Sequence, residues 1–325
     1  MGNIFSQFYF IPSASLTEKN SPDQTGRIFL VTGGYAGVGS QLCKILYAHN
    51  ATPQNAISII KEASPKSSGS IQFLQIDPAD LSTIKPAVKH FTSQQQRLDV
   101  PVNNAGVCTS FPEPPYILYT HKQLVLSSTS AQRYELQVAT NCLGHYLLYQ
   151  LLLPLLANAV APSQTGSVRV AWAASIAIHV DSPPTGILIN NDGSLKDVGV
   201  SANYSQAKVG NVFLARECAK TTPQTGVVHT AFNSGNLRTE LQRHWTGLAS
   251  KISDKFIVYP PVYGAYTELW AAIAPEITPE KSGAYIYPWG RFGSLPGGIE
   301  CSITGESGIS AKFVDWCGEQ TEAFL

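Results

Sequence analysis

The chain has little charge, no excess of either charge sign, and a single methionine. Its 325 residues contain 22 lysine and arginine residues, which balance 22 aspartate and glutamate residues. The absence of a basic surplus or a polybasic run argues against recognition of nucleic acid or of an anionic membrane by charge. Hydrophobic residues make up 44% of the chain, which argues against wholesale disorder and indicates an ordinary globular protein.

Paired cysteines and secretory signals are absent as well. None of the six cysteines forms a C-x-x-C pair, which argues against a zinc site and is typical of reduced thiols in a cytosolic protein. The run NCLGHYLLYQLLLPLLANAVA is apolar enough to span a membrane, but His145 and Pro154 favour a buried helix. We expect a cytoplasmic protein without a transmembrane segment. Gly2 and Ser6 match the N-myristoylation pattern, so membrane association through Gly2 is the alternative.

Short apolar segments alternate along the chain with segments of helical spacing. RIFLV, SIQFLQI, RLDVPV, SVRVAWAASI, GVVHTAF and GAYIYPWG are typical of strands, and helical stretches such as GSQLCKILYAHN and ANYSQAKVGNVFLARECAK lie between them. This alternation predicts βαβ units, and therefore an α/β fold with a Rossmann-like, doubly wound parallel sheet in a single domain. We place a flexible leader at residues 1–25, the domain at 26–325, and a substrate-covering region from about residue 236.

A glycine-rich segment, TGGYAGVG, lies directly between the first predicted strand and the first predicted helix. Glycines at this point let the backbone turn tightly and approach a pyrophosphate, while the helix N-terminus offers N–H groups and the positive end of its dipole. A glycine cluster by itself is a weak signal, and a purely structural turn is the alternative. The strand-to-helix setting favours a dinucleotide site.

Tyr204 and Lys208 are four residues apart on a predicted helix, so their side chains share one face. A nearby ammonium stabilises phenolate, and we therefore expect a lowered pKa for Tyr204 and a role in proton transfer. Ser175 follows a predicted strand, at the edge where a parallel sheet presents its catalytic side chains. A surface pair of tyrosine and lysine is the alternative.

Together these motifs resemble the short-chain dehydrogenase/reductase family, and most of all its fungal, retinol-dehydrogenase-like branch. TGGYAGVG is similar to the family's T-G-x-x-x-G-x-G turn, NNAG to its second hallmark, and NSGNLRTEL to its P-G-x-x-x-T segment. The resemblance implies an NAD(P)-dependent oxidoreductase that reduces a carbonyl or oxidises a secondary alcohol, in fungal secondary metabolism. It also implies a homodimer formed through the long helices. The aromatic-rich region after Gly235 favours a small, apolar substrate. We expect NADP as the preferred cofactor, with NAD as the alternative.

The resemblance also implies roles for individual residues. Tyr204 would exchange the proton, Ser175 would bind the substrate oxygen, Lys208 would bind the nicotinamide ribose, and Asn141 would hold a water that relays protons. No metal is expected. The residues implied to contact the cofactor are Gly33, Gly37, Val38, Gly39, Asp77, Asn104, Ala105, Tyr204, Lys208, Leu237 and Thr239.

The stretch YAHNATPQNAISII departs from the family's pattern. The end of the family's second strand selects between NAD and NADP, but here the chain runs straight into Pro53, and QNAISIIKEASP has helical spacing. We therefore expect the second strand to be missing. The alternative makes AISII the strand and Lys61 a contact for the 2′-phosphate. Pro101 also interrupts a predicted strand, and an apolar insert lies between Val107 and Tyr134.

Two other functions stay open on the sequence. If the part of the site that binds the cofactor's adenosine is defective, the protein would keep this fold and act as a scaffold or regulator. A non-redox isomerase or cyclase would use Tyr204 and Ser175 as acid–base groups. Four histidines near the predicted site are expected to be structural rather than catalytic: His145, His179, His229 and His244.

Overall fold

The computed structural model describes residues 2–9, 11–54, 64–108, 129–238 and 258–325. These residues form a seven-stranded sheet in the order β2-β1-β3-β4-β5-β6-β7. All neighbouring strands are parallel except β7, which is antiparallel to β6. The strands are β1 (Ile28–Val31), β2 (Thr52–Gln54), β3 (Val100–Asn103), β4 (Arg169–Ala173), β5 (Val228–Phe232), β6 (Ala284–Tyr287) and β7 (Arg291–Gly293).

Helices cover both faces of this sheet. Helices α2 and α8 pack on one face, whereas α3, α4, α6, α9 and α10 pack on the other. The α-helices are α1 (Gly2–Phe8), α2 (Gly37–Ala48), α3 (Ile84–Thr92), α4 (Leu136–Val160), α5 (Ala177–Val180), α6 (Val200–Ala219), α7 (Thr222–Thr225), α8 (Pro261–Ile273), α9 (Gly297–Thr304) and α10 (Ile309–Thr321). Short 3-10 helices lie at Leu81–Thr83, Pro279–Lys281 and Glu322–Phe324.

The strands read as continuous apolar runs because each of their faces is buried by helices. In β1, Phe29 and Val31 pack into the cluster under α2 and α8, while Leu30 packs into the cluster on the other face. Successive strand residues point to opposite faces, so both sets must be apolar in a doubly wound sheet. The predicted α/β class and parallel, doubly wound architecture are confirmed.

The prediction that the second strand is missing is wrong. β2 pairs in parallel with β1, with Thr52 opposite Ile28 and Gln54 opposite Leu30. Pro53 is compatible with this placement because β2 is the outermost strand of the described sheet, where one side of the backbone has no ladder to complete. The alternative strand AISII and Lys61 lie in residues 55–63, outside the described residues, as does nearly all of the predicted helix QNAISIIKEASP.

The strand predicted for SIQFLQI is also not formed; only Gln72 makes an isolated bridge. Its two buried residues face different cores, with Ile71 in the cluster under α2 and α8 and Leu74 in the cluster on the opposite face. The segment therefore buries one side chain in each core without forming a ladder, so strand propensity alone does not produce a strand here.

The N-terminal segment, predicted to be a flexible leader, contacts the domain. Gln7 of α1 is only 1% exposed, and its Oε1 accepts a hydrogen bond of 2.9 Å from Asn233 Nδ2 at the end of β5. The Tyr259 hydroxyl donates to the Phe8 carbonyl at 3.2 Å. The first helix is thus tied to the loops that follow the strands.

The apolar run considered as a membrane span is the core helix α4. Among the described residues it is the one helix long and apolar enough to cross a membrane, but 61% of its most apolar window is buried inside the fold. Leu147, Leu152 and Leu156 are fully buried against the sheet and its neighbours. This packing agrees with the buried helix expected from the sequence.

Part of the expected dimer face is covered by the chain itself. Helix α10 packs on α6, where the Phe213 and Phe313 rings meet edge to face with centroids 6.2 Å apart. Gly210 allows this approach, because a Cβ there would lie 2.7 Å from the Phe313 ring. The homodimer stays a prediction, and any partner would have to use other parts of the long helices.

Phe213→Ala tests how firmly α6 is held. The ring is fully buried, so we expect the free energy of unfolding to fall by about 3–5 kcal/mol through lost burial and a residual cavity. Phe73→Ala is the matched control, because Phe73 is 53% exposed and should change the value by less than about 0.5 kcal/mol. Equal losses in the two variants, measured by chemical denaturation, would contradict this packing.

Candidate active site

The carboxyl ends of four parallel strands bring the predicted site residues to one edge of the sheet. Thr32 follows β1, Asn104 follows β3 and Asn233 follows β5, while Ser175 is separated from the end of β4 by Ala174. Parallel strands end at the same edge, where ligands of doubly wound sheets bind. The motifs that the sequence separates by up to two hundred residues are therefore neighbours.

The glycine-rich turn has the shape that a phosphate-binding loop requires. Gly33 and Gly37 have φ angles of 68° and 53°, in the left-handed region that favours glycine. Gly39, in the first turn of α2, has no room for a side chain: a Cβ would lie 2.6 Å from Asn104 Nδ2 and 2.8 Å from the Gly33 carbonyl oxygen. The backbone is thus packed closely enough to serve as a cradle for a pyrophosphate at the N-terminus of α2.

The Thr32 side chain joins the glycine-rich turn to the NNAG segment. Its hydroxyl oxygen accepts hydrogen bonds of 2.9 Å from the backbone N–H groups of Asn104 and Ala105. The Asn104 side chain returns the contact, because its Nδ2 donates to the Thr32 carbonyl at 2.9 Å. Asn104 and Ala105, both predicted to contact the cofactor, are therefore held in place by the residue that follows β1 and leads into the glycine-rich turn.

Asn141 lies in a π-helical turn, Ala139–Leu143, within α4. Its side chain makes two hydrogen bonds to the backbone of Val107: Oδ1 accepts from the Val107 N–H at 2.9 Å, and Nδ2 donates to the Val107 carbonyl at 3.1 Å. Turns of this kind are rare and concentrate at functional sites. Gly106 allows the approach, because a Cβ there would lie 2.9 Å from Asn141 Oδ1 and 3.3 Å from Lys208 Nζ.

Ser175 and Tyr204 form a hydrogen-bonded pair of hydroxyls. The Ser175 oxygen also accepts from the Ala177 N–H at 3.2 Å, and the Ser175 carbonyl accepts from the Tyr285 hydroxyl at 3.3 Å. Both members of the pair are half-buried. The serine is therefore held from both sides and faces the phenol that the sequence singled out.

Lys208 is buried below this pair. Its ammonium lies 5.6 Å from the centroid of the Tyr204 ring and donates to the Ala173 carbonyl at 3.1 Å, an oxygen that Asn211 Nδ2 also contacts at 2.8 Å. Burial lowers the pKa of Lys208 to about 8, against the opposing influence of Cys142, Cys108 and Glu268. A single hydrogen bond leaves further ammonium protons for other acceptors.

The expected lowering of the Tyr204 pKa is wrong. Burial raises the pKa of Tyr204, the thiol of Cys108 raises it further, and the hydrogen bond to Ser175 opposes the rise. The expectation counted the charge of Lys208 and left out the loss of water around the phenol. The ammonium faces the ring and the Ala173 carbonyl, so loss of hydration is the larger effect.

The remaining residues predicted to contact the cofactor fall into three groups. Val38 and Leu237 meet across Gly264 of α8, where an added Cβ would lie 2.2 Å from Leu237 Cδ1 and 3.0 Å from Val38 Cγ1. Asp77 is exposed, accepts from the Ala79 N–H at 2.9 Å, and lines a groove of about 620 Å³ beside α3. Thr239 lies outside the described residues.

Sequence reasoning missed some polar groups at the site. Gln7 reaches Asn233, and the apolar residues of GNIFSQF at helical spacing were the signal for α1. His145 was expected to be structural, yet both of its ring nitrogens contact site elements. Glu268 of α8 is fully buried, and burial raises its pKa to about 8. No sequence pattern marked it.

Lys208→Met tests the cost of burying the ammonium. Burial lowers the pKa of Lys208 in the native state to about 8, below the ordinary lysine value of 10.5. At pH values below about 8 both states are protonated and the native state bears the burial penalty, so methionine should stabilise the protein by up to about 3 kcal/mol. Between pH values of about 8 and 10 the native lysine loses its proton first, and the advantage of methionine should shrink.

Chemical denaturation at pH values of about 7 and 10 measures this difference. Lys220→Met is the matched control, because the Lys220 side chain is 60% exposed. A Lys208→Met protein that is less stable than the parent at the lower pH would contradict the burial penalty.

Comparison with known proteins agrees with this geometry. A family model for short chain dehydrogenase matches residues 27–247. A short-chain dehydrogenase/reductase from Phomopsis amygdali is 39% identical, over 97% of this chain and 96% of its own. The Pseudomonas aeruginosa RhlG/NADP active-site complex is 21% identical with a TM-score of 0.58, covering 81% of this chain and 95% of that one.

A further similar structure is a 3-oxoacyl-(acyl-carrier protein) reductase with bound NAD from Brucella melitensis. It is 15% identical with a TM-score of 0.58, and the match covers 86% of this chain and 96% of that chain. At such identities the solved structures show a shared fold, whereas the family model and the fungal relative show the family. The chain therefore belongs to the short-chain dehydrogenase/reductase family of oxidoreductases.

Proposed function

We propose that the protein is an NADP-dependent reductase that converts a small, apolar ketone or aldehyde to an alcohol, with the reverse oxidation available under suitable conditions. The observation that carries the proposal is the hydrogen-bonded pair of Ser175 and Tyr204 above the buried Lys208, at the carboxyl edge of the sheet. The bound nicotinamide would supply hydride, and the protein's own groups handle the proton.

The raised pKa of Tyr204 favours the reducing direction. A phenol that keeps its proton at neutral pH is ready to donate it to the oxygen of a carbonyl substrate. Ser175 already hydrogen-bonds this phenol, so a substrate oxygen that takes the place between them receives two donors. The two hydroxyls thus bind and polarise the carbonyl, and Tyr204 completes the alcohol by giving up its proton.

Lys208 and Asn141 support this proton transfer. The ammonium uses one donor on the Ala173 carbonyl and offers its others toward the hydroxyls of a nicotinamide ribose. Asn141, fixed by two hydrogen bonds to Val107, would hold the relay water beside it. Lys208 and the water at Asn141 would then replace, from solvent, the proton lost by Tyr204.

The residues present fit a dinucleotide. The close packing around Gly39 and the left-handed glycines form a cradle for the pyrophosphate. NADP is preferred over NAD because β2 ends at Gln54 and Asn55 follows it. Neither residue has the carboxylate with which NAD-selective sites of this fold bind the ribose 2′-hydroxyl.

The substrate class rests on the surroundings of Ser175. Tyr285 reaches the Ser175 carbonyl, and its ring lies 5.9 Å from His179 and 5.7 Å from Tyr287, centroid to centroid. Tyr285 and Tyr287 are buried aromatic side chains beside Ser175, and aromatic surroundings of this kind suit a small apolar molecule. A role in fungal secondary metabolism and a cytoplasmic location are part of the proposal; the fungal source of the relative named above fits the first and does not bear on the second.

Gly39→Ala tests the cofactor cradle. The added methyl would collide with the Gly33 carbonyl, so we expect NADPH to bind the variant at least about tenfold more weakly, a loss of about 1.4 kcal/mol. Gly297→Ala is the control, because a Cβ there meets nothing within 4 Å. Fluorescence titration with NADPH and NADH measures both affinities; failure of the parent to bind either would overturn the proposal.

Tyr204→Phe tests the proton donor. Without the hydroxyl we expect kcat for ketone reduction to fall by about 10²–10⁴-fold while NADPH affinity stays near that of the parent. Tyr146→Phe is the matched control, because Tyr146 packs in the core beside Gly318 of α10 and should keep its activity. Steady-state rates on a panel of ketones and aldehydes provide the measurement, and a fully active Tyr204→Phe protein would exclude the assigned donor.

A further inference from the structure

His145 is a buried histidine in the middle of α4, with no exposed surface. Nδ1 lies 3.1 Å from the carbonyl oxygen of Asn141, one turn earlier in the same helix. Nε2 lies 2.9 Å from the hydroxyl oxygen of Thr32, at the end of β1. The ring therefore bridges the turn that carries Asn141 and the strand that leads into the phosphate cradle.

The hydrogen-bond count at Thr32 determines the direction of this bridge. A hydroxyl oxygen has two acceptor positions and one proton. The N–H groups of Asn104 and Ala105 occupy both acceptor positions, so Thr32 must donate. His145 Nε2 at 2.9 Å is a closer acceptor than the Val102 carbonyl at 3.4 Å.

The His145 ring is therefore a neutral imidazole with its proton on Nδ1. Nε2 accepts from Thr32, and a neutral ring carries its proton on the other nitrogen. That Nδ1–H then donates to the Asn141 carbonyl. Burial lowers the pKa of His145 to about 4, so the ring stays neutral around physiological pH. The chain of donors runs from Asn104 and Ala105 through Thr32 and His145 to Asn141.

We propose that His145 is a positioning residue that fixes the Asn141 turn relative to the turns that hold the cofactor. This inference rests on the proposed function. The Asn141 carbonyl lies inside a π-helical turn, where the regular helical ladder is interrupted, and the imidazole sets its direction. The Asn141 side chain is fixed independently by Val107, so His145 acts on the carbonyl rather than on the amide.

Two conservative substitutions each remove one of the two hydrogen bonds of His145, called here the Thr32 arm and the Asn141 arm of the bridge. In His145→Asn, the side-chain amide nitrogen replaces Nδ1 and keeps the donor to Asn141, but the acceptor for Thr32 is lost. In His145→Gln, the amide oxygen reaches the position of Nε2 and accepts from Thr32, but the donor to Asn141 is lost. His145→Phe keeps a ring of similar size and removes both arms.

We expect the two arms to affect different kinetic quantities. His145→Asn should weaken NADPH binding about fivefold to tenfold, because the Thr32 hydroxyl is left without its acceptor, while kcat stays within about threefold of the parent. His145→Gln should keep NADPH affinity and lose about tenfold or more in kcat, because the Asn141 carbonyl is no longer held. His145→Phe should show both losses.

Equal losses in the Asn and Gln variants, or parent-like values in both, would overturn the proposal. A purely structural histidine would give variants that differ in thermal stability but not in this split between affinity and kcat. Fluorescence titration with NADPH and single-turnover ketone reduction measure the two quantities on protein that thermal unfolding shows to be folded.

A second measurement does not depend on activity. Long-range ¹H–¹⁵N correlation spectra of ¹⁵N-histidine-labelled protein, with the His145 signals assigned by their loss in His145→Gln, report which ring nitrogen carries the proton. We expect the Nδ1–H form, unchanged between pH values of about 5 and 8. An Nε2–H form, or titration in that range, would overturn the bridge even in a protein that reduces ketones. The expected tautomer in a protein that binds no nicotinamide would instead contradict the proposed function alone.

Discussion

The hydroxyl of Thr32 is the interaction on which the site depends. It accepts from the N–H groups of Asn104 and Ala105 directly after β3, the first of which it shares with the Val102 carbonyl. Through this one oxygen the turn after β1 and the turn after β3 are locked together at the carboxyl edge. The same hydrogen bonds hold the two turns close enough for Gly39 to pack against Gly33 and Asn104. The Thr32 hydroxyl also contacts His145.

The site is built from polar groups at positions where the rest of the fold is apolar. Lys208, Asn141 and His145 are each 5% exposed or less, and their hydrogen bonds to backbone oxygens offset part of the cost of losing water. Burial raises the pKa of Tyr204 and lowers that of Lys208, so both charged forms are disfavoured together. The protein thus keeps a neutral phenol above a cation that is easily discharged, which suits repeated proton transfer.

Much of the fold follows from the sequence because buried parallel strands leave a strong signal. Predictions for β1, β3, β4, β5 and β6 are confirmed, since helices on both faces require continuous apolar runs. Failures occur where local patterns are weak or misleading: Pro53 conceals a three-residue edge strand, and SIQFLQI alternates like a strand but makes only an isolated bridge at Gln72. The helical spacing of GNIFSQF was overlooked among polar neighbours.

The candidate residues were predictable as a set, but their electrostatics were not. Spacing places Tyr204 and Lys208 on one face, yet the sign of the Tyr204 pKa shift depends on water excluded by distant segments. The bridge through His145 joins residues 113 positions apart, which no local motif encodes.

The most direct test of the account is deuteride transfer from 4-deuterated NADPH to a ketone, followed by mass spectrometry of the alcohol. The account predicts deuterium on the carbinol carbon; NADPH that binds but transfers no deuterium to any carbonyl would contradict it.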